Sequence, residues 1–410
     1  MRILLVQETD WINKGPFQQN HLMEILSLRG HEVRVIDHEI HWREQKERGL
    51  LPKRQVFNDV SRIHPGAAVD IVRPGVIRML GIDYFSLLFL HWREIKRQIE
   101  EFSPDVIVGF HILSAFLSMR AAKRYNIPFV YYWVDIYHTQ LSLALFQQLA
   151  KLLERYSLRG ADKVAVLCER MKDYVIPMGS DPAKTYVIRG SADLGRFNGQ
   201  PRDTELASTL GIRSNDKVIG FIGMFHKDLG LEEVVKGLAR AGQSDLKLLL
   251  VGQGDWSAPN KVSELQQLAE VEHISDHVIF TGKRPYEEVP GLMSMADILL
   301  LPAYPNAMMQ DIVPIKLYEY MAMQKPVIAT RLPGVMEEFG DDNGVVYVDK
   351  PEDAVAKAIE LAQNGIVERL GLKARSFVER NSWDTITDKF EKILEEAIKE
   401  KQDGQLSKRV

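Results

Sequence analysis

Features typical of secreted, membrane-spanning and nucleic-acid-binding proteins are scarce in this chain of 410 residues. Its single cysteine, Cys168, rules out an intramolecular disulfide and argues against a cysteine-rich metal site. No apolar run approaches the ~18 residues that a membrane-spanning helix requires. The formal net charge of −4 gives no reason to expect a nucleic-acid partner. Because polar residues follow the first apolar run at once, no signal peptide is expected, and we predict a cytoplasmic protein or one at the inner face of a membrane.

The length predicts two domains, because single hydrophobic cores stop growing beyond about 250–300 residues. In both halves of the chain, apolar runs typical of buried parallel strands alternate with stretches of helical periodicity. Asn, Gly and Pro cluster at 197–203, which indicates a linker there. We therefore expect an α/β chain with two doubly wound parallel sheets, which bind ligands at the carboxyl ends of their strands.

The stretch 297–339 carries the most specific pattern in the chain. An apolar run predicts a buried strand, a loop with two prolines follows, and a helix predicted over 315–323 leads to a second buried strand. Asp311 and Glu319 place carboxylates on either side of the helix start. Carboxylate oxygens accept hydrogen bonds, so this pair could hold hydroxyl groups.

The start of this helix is a predicted anion site. Pro314 suits the first turn of a helix, and the backbone N–H groups from Ile315 onward carry the positive end of the helix dipole. A cation is disfavoured at the positive end of a helix, and Lys316 lies in this first turn. A bound phosphate would compensate its charge, so Lys316 is predicted to face phosphate. A ligand with a phosphate at the helix start and hydroxyl groups bound to the two carboxylates would be a nucleotide sugar.

These residues resemble the donor-site motif of the retaining glycosyltransferases of family 4, which have the GT-B fold. That family carries Glu, seven residues and Glu, followed by a small-residue helix and a PVIA-like strand. This chain has Asp311, seven residues and Glu319, with YEYMA and KPVIAT after them. The form VPIKLYEYMA is similar to the branch that builds cell-surface polysaccharides and lipid-linked glycans. The first acid is Asp rather than Glu, so its carboxylate reaches one methylene less far.

The resemblance implies an α/β fold of the GT-B type, with two Rossmann-like domains and a cleft between them. An N-terminal acceptor-binding domain is expected over 1–198 and a C-terminal nucleotide-sugar-binding domain over 199–375. A capped amphipathic stretch predicts a helix within 376–400, which in this fold crosses back to the N-terminal domain.

Within the donor site, the resemblance implies that Glu319 binds the ribose hydroxyls and that Asp311, as a catalytic residue, holds a sugar hydroxyl. The family's first loop is Gly-rich and approaches the donor phosphate, whereas this chain retains Gly15 with Lys14 beside it. Lys14 could replace the missing amide dipoles by its charge, or it could be a solvated surface lysine. Arg284 lies in the turn that holds the nucleobase in the family, so it is expected beside the base.

The cations expected at the diphosphate differ from the family pattern. The family has Arg just after the first Gly of the turn and Lys just before the second, where this chain has Met224 and Leu229. His226 and Lys227 in the same turn are the predicted cations, with Lys227 catalytic, because a leaving diphosphate needs positive charge. The alternative is that both lie on the surface and that backbone amides bind the phosphates.

Polar residues follow two neighbouring strands in the N-terminal half. His111 comes directly after the apolar run 106–110, and Asp135 follows the next run, with His138 close by. Strand ends in a doubly wound sheet share one crevice, and the family similarly keeps a His or Asp there facing the acceptor. We predict that His111 and Asp135 are catalytic, although a lone histidine is often structural.

A long helix predicted over 81–102 has apolar residues on one flank, followed by Arg93, Lys96 and Arg97. Up to Gly195 the chain has 26 Lys+Arg against 22 Asp+Glu, a net of +4, whereas the remainder has 26 against 34, a net of −8. One interpretation is a peripheral contact with an anionic membrane, where a lipid-linked acceptor would be met. The other is that the apolar flank packs on the sheet and the charges are solvated.

The predicted reaction moves a sugar from a nucleotide-diphosphate sugar, with UDP favoured, to a hydroxyl of a glycan or polyprenyl-linked acceptor. The resemblance implies retained anomeric configuration and a hexosyl or N-acetylhexosaminyl group. No DxD-type metal motif stands where this fold would use one, so we expect metal-independent activity without a cofactor. The alternatives are a nucleotide-sugar epimerase of the same architecture and an inactive nucleotide-sugar-binding subunit.

Overall fold

The computed structural model separates the chain into two compact units, each built on one sheet. Unit 1 comprises Met1–Arg189 and Trp383–Val410, and unit 2 comprises Gly190–Ser382. Each unit has its own core of buried aliphatic and aromatic side chains. The structure describes residues 1–14, 16–40, 49–50, 52–79, 82–141, 143–255, 257–306 and 308–406.

The chain enters unit 2 before the cluster of Asn, Gly and Pro that the sequence pattern indicates as a linker. Ala192 and Phe197 are buried in the core of unit 2. Asp193 turns the chain between them by accepting hydrogen bonds from the backbone N–H groups of Gly195 and Arg196. The segment 197–203 therefore begins inside unit 2 rather than between the units.

The strands of unit 1 form an eight-stranded sheet. They are β1 (Arg2–Val6), β2 (Glu32–Ile36), β3 (Gln55–Val60), β4 (Val69–Arg73), β5 (Val106–Phe110), β6 (Phe129–Trp133), β7 (Lys163–Val166) and β8 (Thr185–Val187). Their order across the sheet is β3-β4-β2-β1-β5-β6-β7-β8, and the pairings are parallel except that between β3 and β4. Strands β5 and β6 are buried at every position, as expected for parallel strands covered on both faces.

Six described helices cover this sheet. They are α1 (Gln18–Leu28), α2 (Ile82–Phe102), α3 (Leu113–Tyr125), α4 (Ala144–Gly160), α5 (Glu169–Met178) and α14 (Trp383–Leu406). Helix α3 packs between α2 and α4, whereas α1 packs against α14. Because right-handed crossovers run in opposite directions on the two sides of β1, the row α2–α3–α4 lies on one face of the sheet and α1 on the other. No described helix is both long and apolar enough to cross a membrane.

The C-terminal helix completes unit 1. Trp383 and Phe390 of α14 are buried in the same core as β1 and β5. Arg29 forms ion pairs with Asp388 at 2.7 Å and with Glu391 at 2.6 Å. The helix begins at Trp383, within the span 376–400, and continues past residue 400, while residues 376–379 belong to the preceding helix.

Unit 2 contains a six-stranded sheet in which every pairing is parallel. Its strands are β9 (Lys217–Ile222), β10 (Leu246–Val251), β11 (Val278–Gly282), β12 (Ile298–Leu301), β13 (Val327–Thr330) and β14 (Val345–Val348). Their order is β11-β10-β9-β12-β13-β14. From β9 the chain adds β10 and β11 on one side and then continues with β12, β13 and β14 on the other side of β9. The strand order therefore reverses between β9 and β12.

The helices of unit 2 connect these strands. They are α6 (Thr204–Thr209), α7 (Leu231–Ala241), α8 (Lys261–Val271), α9 (Val289–Met295), α10 (Ile315–Ala322), α11 (Pro333–Phe339), α12 (Ala354–Gln363) and α13 (Val367–Glu379). Helix α10 links β12 to β13, the two strands of the stretch that carries the sequence motif. Both units therefore confirm the predicted α/β architecture of doubly wound parallel sheets.

Candidate active site

The reversal between β9 and β12 sets the position of the candidate site in unit 2. Loops leave two adjacent strands in opposite directions at such a reversal, which opens a crevice at their carboxyl ends. The turn after β9 begins at Gly223, and the loop after β12 leads to α10. Pro314 is the N-cap residue of α10 and Ile315 is its first helical residue, so the proline stands one position before the first turn. No described side chain caps this helix start.

Lys316 brings a positive charge to the turn after β9. A Cβ atom placed on Gly223 would lie 2.8 Å from Lys316 Nζ, and this ammonium is 4.4 Å from the centre of the Phe221 ring. Burial lowers the pKa of Lys316 to about 8, and the nearby carboxylate of Glu319 partly opposes that shift. The lysine is therefore mostly charged at neutral pH, and a phosphate beside it would stabilise the charged form further.

Glu319 lies one turn along α10 from Lys316, on the same side of the helix. Its Oε1 accepts a hydrogen bond from Tyr286 Oη at 2.8 Å. Burial raises the pKa of Glu319, while the bond from Tyr286 and the charges of Lys316 and Arg196 oppose that increase. A carboxylate held in this way keeps its second oxygen as an acceptor, which suits a pair of vicinal hydroxyls.

Tyr286 and Arg196 are two neighbours of Glu319 that the sequence interpretation did not include. The Arg196 guanidinium lies 4.8 Å from the centre of the Tyr286 ring, and Phe197 contacts the same ring edge-on. Burial and the carboxylate of Glu319 raise the pKa of Tyr286, so it remains a neutral donor. Arg196 follows the turn at Asp193 and directly precedes the stretch 197–203, which the sequence pattern indicates as a linker.

The glycines after β9 and β10 serve close packing of two turns. Gly252 has φ +142°, and a Cβ there would lie 2.0 Å from the carbonyl oxygen of Gly223. The N–H of Gly252 donates to the carbonyl of Gly282 at 3.0 Å, so the turn also meets the end of β11. Only glycine allows this approach. The Gly-x-Gly pattern that begins at Gly252 is thus explained by packing beside the site.

His226 and Lys227, the predicted cations, have different surroundings. His226 Nδ1 lies 3.1 Å from Asp228 Oδ2, and Nε2 lies 3.8 Å from Asp255 Oδ2. The side chain of Lys227 is exposed. Helix α7 begins only at Leu231, so both residues lie in the turn, as predicted. Because His226 already contacts two carboxylates, Lys227 and Lys316 are the stronger candidates for a phosphate.

Arg284 and Asp311 lie in loops at the same edge of the sheet. Arg284 Nε donates to Glu288 Oε2 at 2.8 Å, an i,i+4 pair, and its side chain is 43% exposed. Asp311 is partly buried. The loop that carries it is tied to α11 by a hydrogen bond from the Gly334 N–H to the Gln310 carbonyl, 2.8 Å long.

A second crevice forms in unit 1, where the strand order reverses between β1 and β5. Glu8 follows β1, and its Oε1 accepts a hydrogen bond from the Ser114 N–H, 2.8 Å long, in the first turn of α3. His111 follows β5 with φ +66°, a left-handed conformation that is uncommon outside glycine. The Glu8 N–H donates to His111 Nδ1 at 3.3 Å, so the imidazole carries its proton on Nε2. Burial lowers the pKa of His111 to about 3, which keeps the ring neutral.

The remaining predicted residues of unit 1 are placed as follows. Asp135 is partly buried after β6, where Oδ1 accepts from the Ile136 N–H at 2.7 Å. His138 is buried, with Nδ1 against Glu154 and Nε2 3.2 Å from Tyr174 Oη, which favours the structural interpretation of this histidine. Lys14 is exposed, with Nζ 5.6 Å from the centre of the Phe17 ring. Gly15 lies outside the described residues.

In the described part of the chain, no group of three or more His, Cys, Asp or Glu could hold a metal ion.

Glu8 gives unit 1 a pH-dependent stability. Burial raises the pKa of Glu8 to about 7, despite opposing backbone hydrogen bonds from α3. A folded-state pKa above the unfolded value means that Glu8 stabilises unit 1 below pH ~4.5 and loses this contribution as pH rises through 7. Glutamine does not titrate, so Glu8→Gln should lack this loss. As pH rises from 5 to 8, the free energy of unfolding of Glu8→Gln should increase relative to that of wild type by up to about 3 kcal/mol. Urea unfolding followed by tryptophan fluorescence at the two pH values measures this difference.

The matched control is Glu32→Gln, which changes an exposed glutamate of the same unit. The four described tryptophans, at positions 11, 92, 133 and 383, all belong to unit 1, so the fluorescence reports mainly on that unit. An equal pH dependence in wild type and Glu8→Gln would show that Glu8 does not titrate in this range.

The contact between Tyr286 and Glu319 leads to a prediction for ligand binding. Tyr286→Phe removes the hydrogen bond that Glu319 Oε1 accepts from Tyr286. The carboxylate of Glu319 is then oriented less well, and its negative charge is stabilised less. For the nucleotide ligand that the sequence predicts, we expect affinity to fall by about 3–10-fold, measured by calorimetry with UDP. Tyr318→Phe is the control, because it removes an equivalent bond of 2.7 Å to Glu338. An unchanged affinity in Tyr286→Phe would separate this tyrosine from the ligand site.

Comparison with known families assigns a model to each half of the chain. "Glycosyl transferases group 1" matches residues 203–374, and "Glycosyltransferase Family 4" matches residues 20–196. The chain is 26% identical over 386 residues to the D-inositol 3-phosphate glycosyltransferase of Corynebacterium jeikeium (strain K411), covering 86% of this chain and 88% of the relative. It is 27% identical over 197 residues to the 2-deoxystreptamine glucosyltransferase of Streptomyces kanamyceticus, covering 47% and 48%.

Solved structures of the same fold cover nearly the whole chain. Sucrose-phosphate synthase from Thermosynechococcus elongatus superposes with a TM-score of 0.75 at 18% identity, covering 96% of this chain and 98% of that one. HepE from Anabaena, in complex with UDP, superposes with a TM-score of 0.73 at 17% identity, covering 97% and 100%. With both of its domains matched and its two parallel sheets shared with these structures, the chain belongs to the GT-B glycosyltransferases that combine a family 4 domain with a group 1 domain.

Proposed function

We propose that this glycosyltransferase takes its sugar from a nucleoside diphosphate sugar bound at the carboxyl edge of the unit 2 sheet. The observation that carries the proposal is the pair formed by Lys316 and Glu319. One side of α10 presents an ammonium beside the Gly223 turn and, one turn further along, a carboxylate held by Tyr286. A diphosphate and a ribose diol require these two groups in this order.

Each group of the site has a distinct part in the proposed reaction. Lys316, with the positive end of α10, binds the diphosphate and stabilises the charge that develops on it as the glycosidic bond breaks. Glu319 accepts hydrogen bonds from the ribose hydroxyls. Asp311 holds a hydroxyl of the transferred sugar, and Lys227 adds positive charge from the facing turn. The acceptor hydroxyl attacks on the side of the leaving group, and the departing phosphate takes its proton, so the anomeric configuration is retained.

The absence of the family's Arg–Lys pair makes Lys316 central to this proposal. Met224 and Leu229 stand at the two clamp positions, so the turn after β9 lacks both of the usual side-chain charges. Lys316 reaches this turn from α10 instead and places Nζ against Gly223. The charge is therefore supplied from the helix that also carries Glu319, which joins phosphate and ribose binding in one element.

We further propose UDP as the nucleotide, with a hexosyl or N-acetylhexosaminyl group as the sugar. The HepE structures with UDP and with UDP-glucose support this choice, and the relatives' names include glucosyl- and N-acetylglucosaminyltransferases. Arg284 would lie beside the base if the donor displaced its pairing with Glu288. The acceptor is proposed to be a hydroxyl of a glycan or lipid-linked glycan, bound by unit 1 with His111 and Asp135 at the strand ends.

The reaction can be tested without knowing the acceptor, because water replaces it slowly in such a site. The full chain is incubated with UDP-glucose, UDP-N-acetylglucosamine, GDP-mannose and ADP-glucose, and the released nucleoside diphosphate is measured. We expect release from a UDP-sugar, with the α-anomer of the sugar appearing first in the proton NMR spectrum. D-inositol 3-phosphate and polyprenyl diphosphate glycans are then added separately, and the acceptor is the compound that increases the rate of release.

The outcomes separate the proposal from its alternatives. First appearance of the β-anomer would contradict retention. Conversion of one UDP-sugar into another without release of UDP would identify an epimerase. Binding of UDP without any turnover under all conditions would identify an inactive subunit.

A further inference from the structure

Helix α4 presents a row of apolar side chains to solvent. Leu145, Leu149, Leu152 and Tyr156 are spaced i, i+4, i+7 and i+11, which places them along one side of the helix. Their exposed fractions are 77%, 52%, 61% and 51%. Phe146 beside them is 48% exposed. With 17 residues, the helix extends this row over about 25 Å.

This row is not the side of α4 that packs on the protein. The buried residues of the helix are Ala150, Glu154, Ser157 and Leu158. Glu154 faces inward, where Oε2 contacts His138 and Oε1 accepts from Trp133 Nε1 at 3.2 Å. Helix α4 therefore has an inner face that is satisfied by unit 1 and a second, apolar face that no described residue covers.

The exposed charges of α3 and α4 themselves have one sign. Helices α3 and α4 together contain six basic residues, and their single acid, Glu154, is buried. The basic residues are Arg120, Lys123, Arg124, Lys151, Arg155 and Arg159. The two helices pack side by side, and Lys123 Nζ lies 5.8 Å from the centre of the Tyr156 ring. Apolar side chains and basic groups thus occupy the same surface.

Helix α2 extends this surface on the far side of α3. Phe85 and Phe89 are 70% and 68% exposed, and Arg93 follows them one turn later. Ile95, on the same apolar flank, is buried. The aromatics at the start of this flank are therefore exposed, whereas its later part packs on unit 1.

We propose that the surface formed by α4, α3 and the start of α2 docks on an anionic lipid bilayer. Leucine and aromatic side chains that protrude from a helix enter the region between headgroups and acyl chains, while lysine and arginine beside them contact anionic headgroups. A second copy of the chain fits this surface less well, because two such faces would bring basic residues against basic residues. The docking depends only on unit 1 and is independent of the donor chemistry proposed for unit 2.

The test is co-sedimentation of the full chain with vesicles. Wild type is expected to bind vesicles of phosphatidylcholine with phosphatidylglycerol, and to bind phosphatidylcholine alone at least about tenfold more weakly. The double variant Leu145→Glu with Leu152→Glu is expected to lose binding to the anionic vesicles by at least about tenfold. Leu372→Glu changes a leucine of unit 2 that is 54% exposed, and it should bind like wild type.

The charge component is tested by Lys151→Glu with Arg155→Glu, which should also abolish binding to anionic vesicles. Thermal melting followed by circular dichroism checks that each variant is folded, and none of the substituted side chains is buried. Failure of wild type to bind anionic vesicles, or unchanged binding of folded Leu145→Glu/Leu152→Glu, would overturn the proposal. A wild-type dimer that this double variant converts to a monomer in light scattering would instead make the surface a self-association face.

Discussion

Glu319→Gln is expected to weaken the binding of UDP by about 30–150-fold, equivalent to about 2–3 kcal/mol. The amide keeps the size of the side chain and can still accept a hydrogen bond from Tyr286. It cannot accept from two vicinal hydroxyls, because its nitrogen is a donor and the charge is gone. Calorimetric titration of the full chain with UDP measures the effect. Turnover should fall at least in parallel, because in the proposed mode the bound ribose positions the diphosphate on Lys316.

Glu338→Gln is the matched control for this experiment. Glu338 is buried in the same unit and accepts a hydrogen bond of 2.7 Å from Tyr318, the same chemistry as the pair of Glu319 and Tyr286. We expect Glu338→Gln to bind UDP within about twofold of wild type, even if its melting temperature falls. Equal losses in the two variants would mean that the effect comes from a general disturbance of unit 2 rather than from the ribose.

Lys316→Met is expected to lower kcat by about 10²–10³-fold, the range found when a donor to developing charge is removed. Methionine has a similar length but removes the ammonium, which lies over the Phe221 ring and beside Gly223. Release of UDP from UDP-glucose measures this loss. Lys325→Met, at another partly buried lysine of unit 2 whose Nζ donates to the Ser294 carbonyl, should leave kcat near that of wild type. A kcat for Lys316→Met within about threefold of wild type would move the catalytic charge to Lys227.

The pH dependence of binding gives a second readout for the same residue. With the pKa of Lys316 near 8, its positive charge is present at pH 7 and is lost as pH rises. Affinity for UDP should therefore fall about tenfold between pH 7 and pH 9 in wild type. Lys316→Arg, which stays charged over this range, should remove the decline, and Lys316→Met should be uniformly weak. A general structural role for Lys316 would not produce this pattern.

The sequence predicts the fold well because local patterns agree with the global architecture. The buried parallel strands β5, β6 and β12 are continuous apolar runs, and turn glycines follow β9 and β10, at Gly223 and Gly252. The helix start after β12 is also predictable, since Pro314 and the periodicity from Ile315 onward both indicate it. The domain boundary is less predictable, because Ala192 and Phe197 become core residues only through contacts with distant parts of unit 2.

The parts of the site that sequence misses depend on contacts between distant segments. Tyr286 reaches Glu319 over 33 positions, and Arg196 reaches Tyr286 over 90 positions, so neither spacing forms a motif. Tyr286 stands two residues after Arg284, in the turn expected beside the nucleobase. A tyrosine in that turn was the sequence feature from which its place in the site could have been predicted. The surface on α4 is missed for a different reason. Its helical periodicity predicts a core-facing stripe, and only the structure shows that the helix has a separate inner face.

The most direct test of the donor site is thermal stabilisation of the full chain by UDP-, GDP-, ADP- and CDP-sugars, in wild type and in Glu319→Ala. A ligand present at 100 times its dissociation constant should add ~2.7 kcal/mol of stability. The account predicts that UDP-sugars alone raise the melting temperature of wild type, and that Glu319→Ala abolishes the increase. Stabilisation by none of the nucleotide sugars, or an undiminished increase in Glu319→Ala, would contradict it.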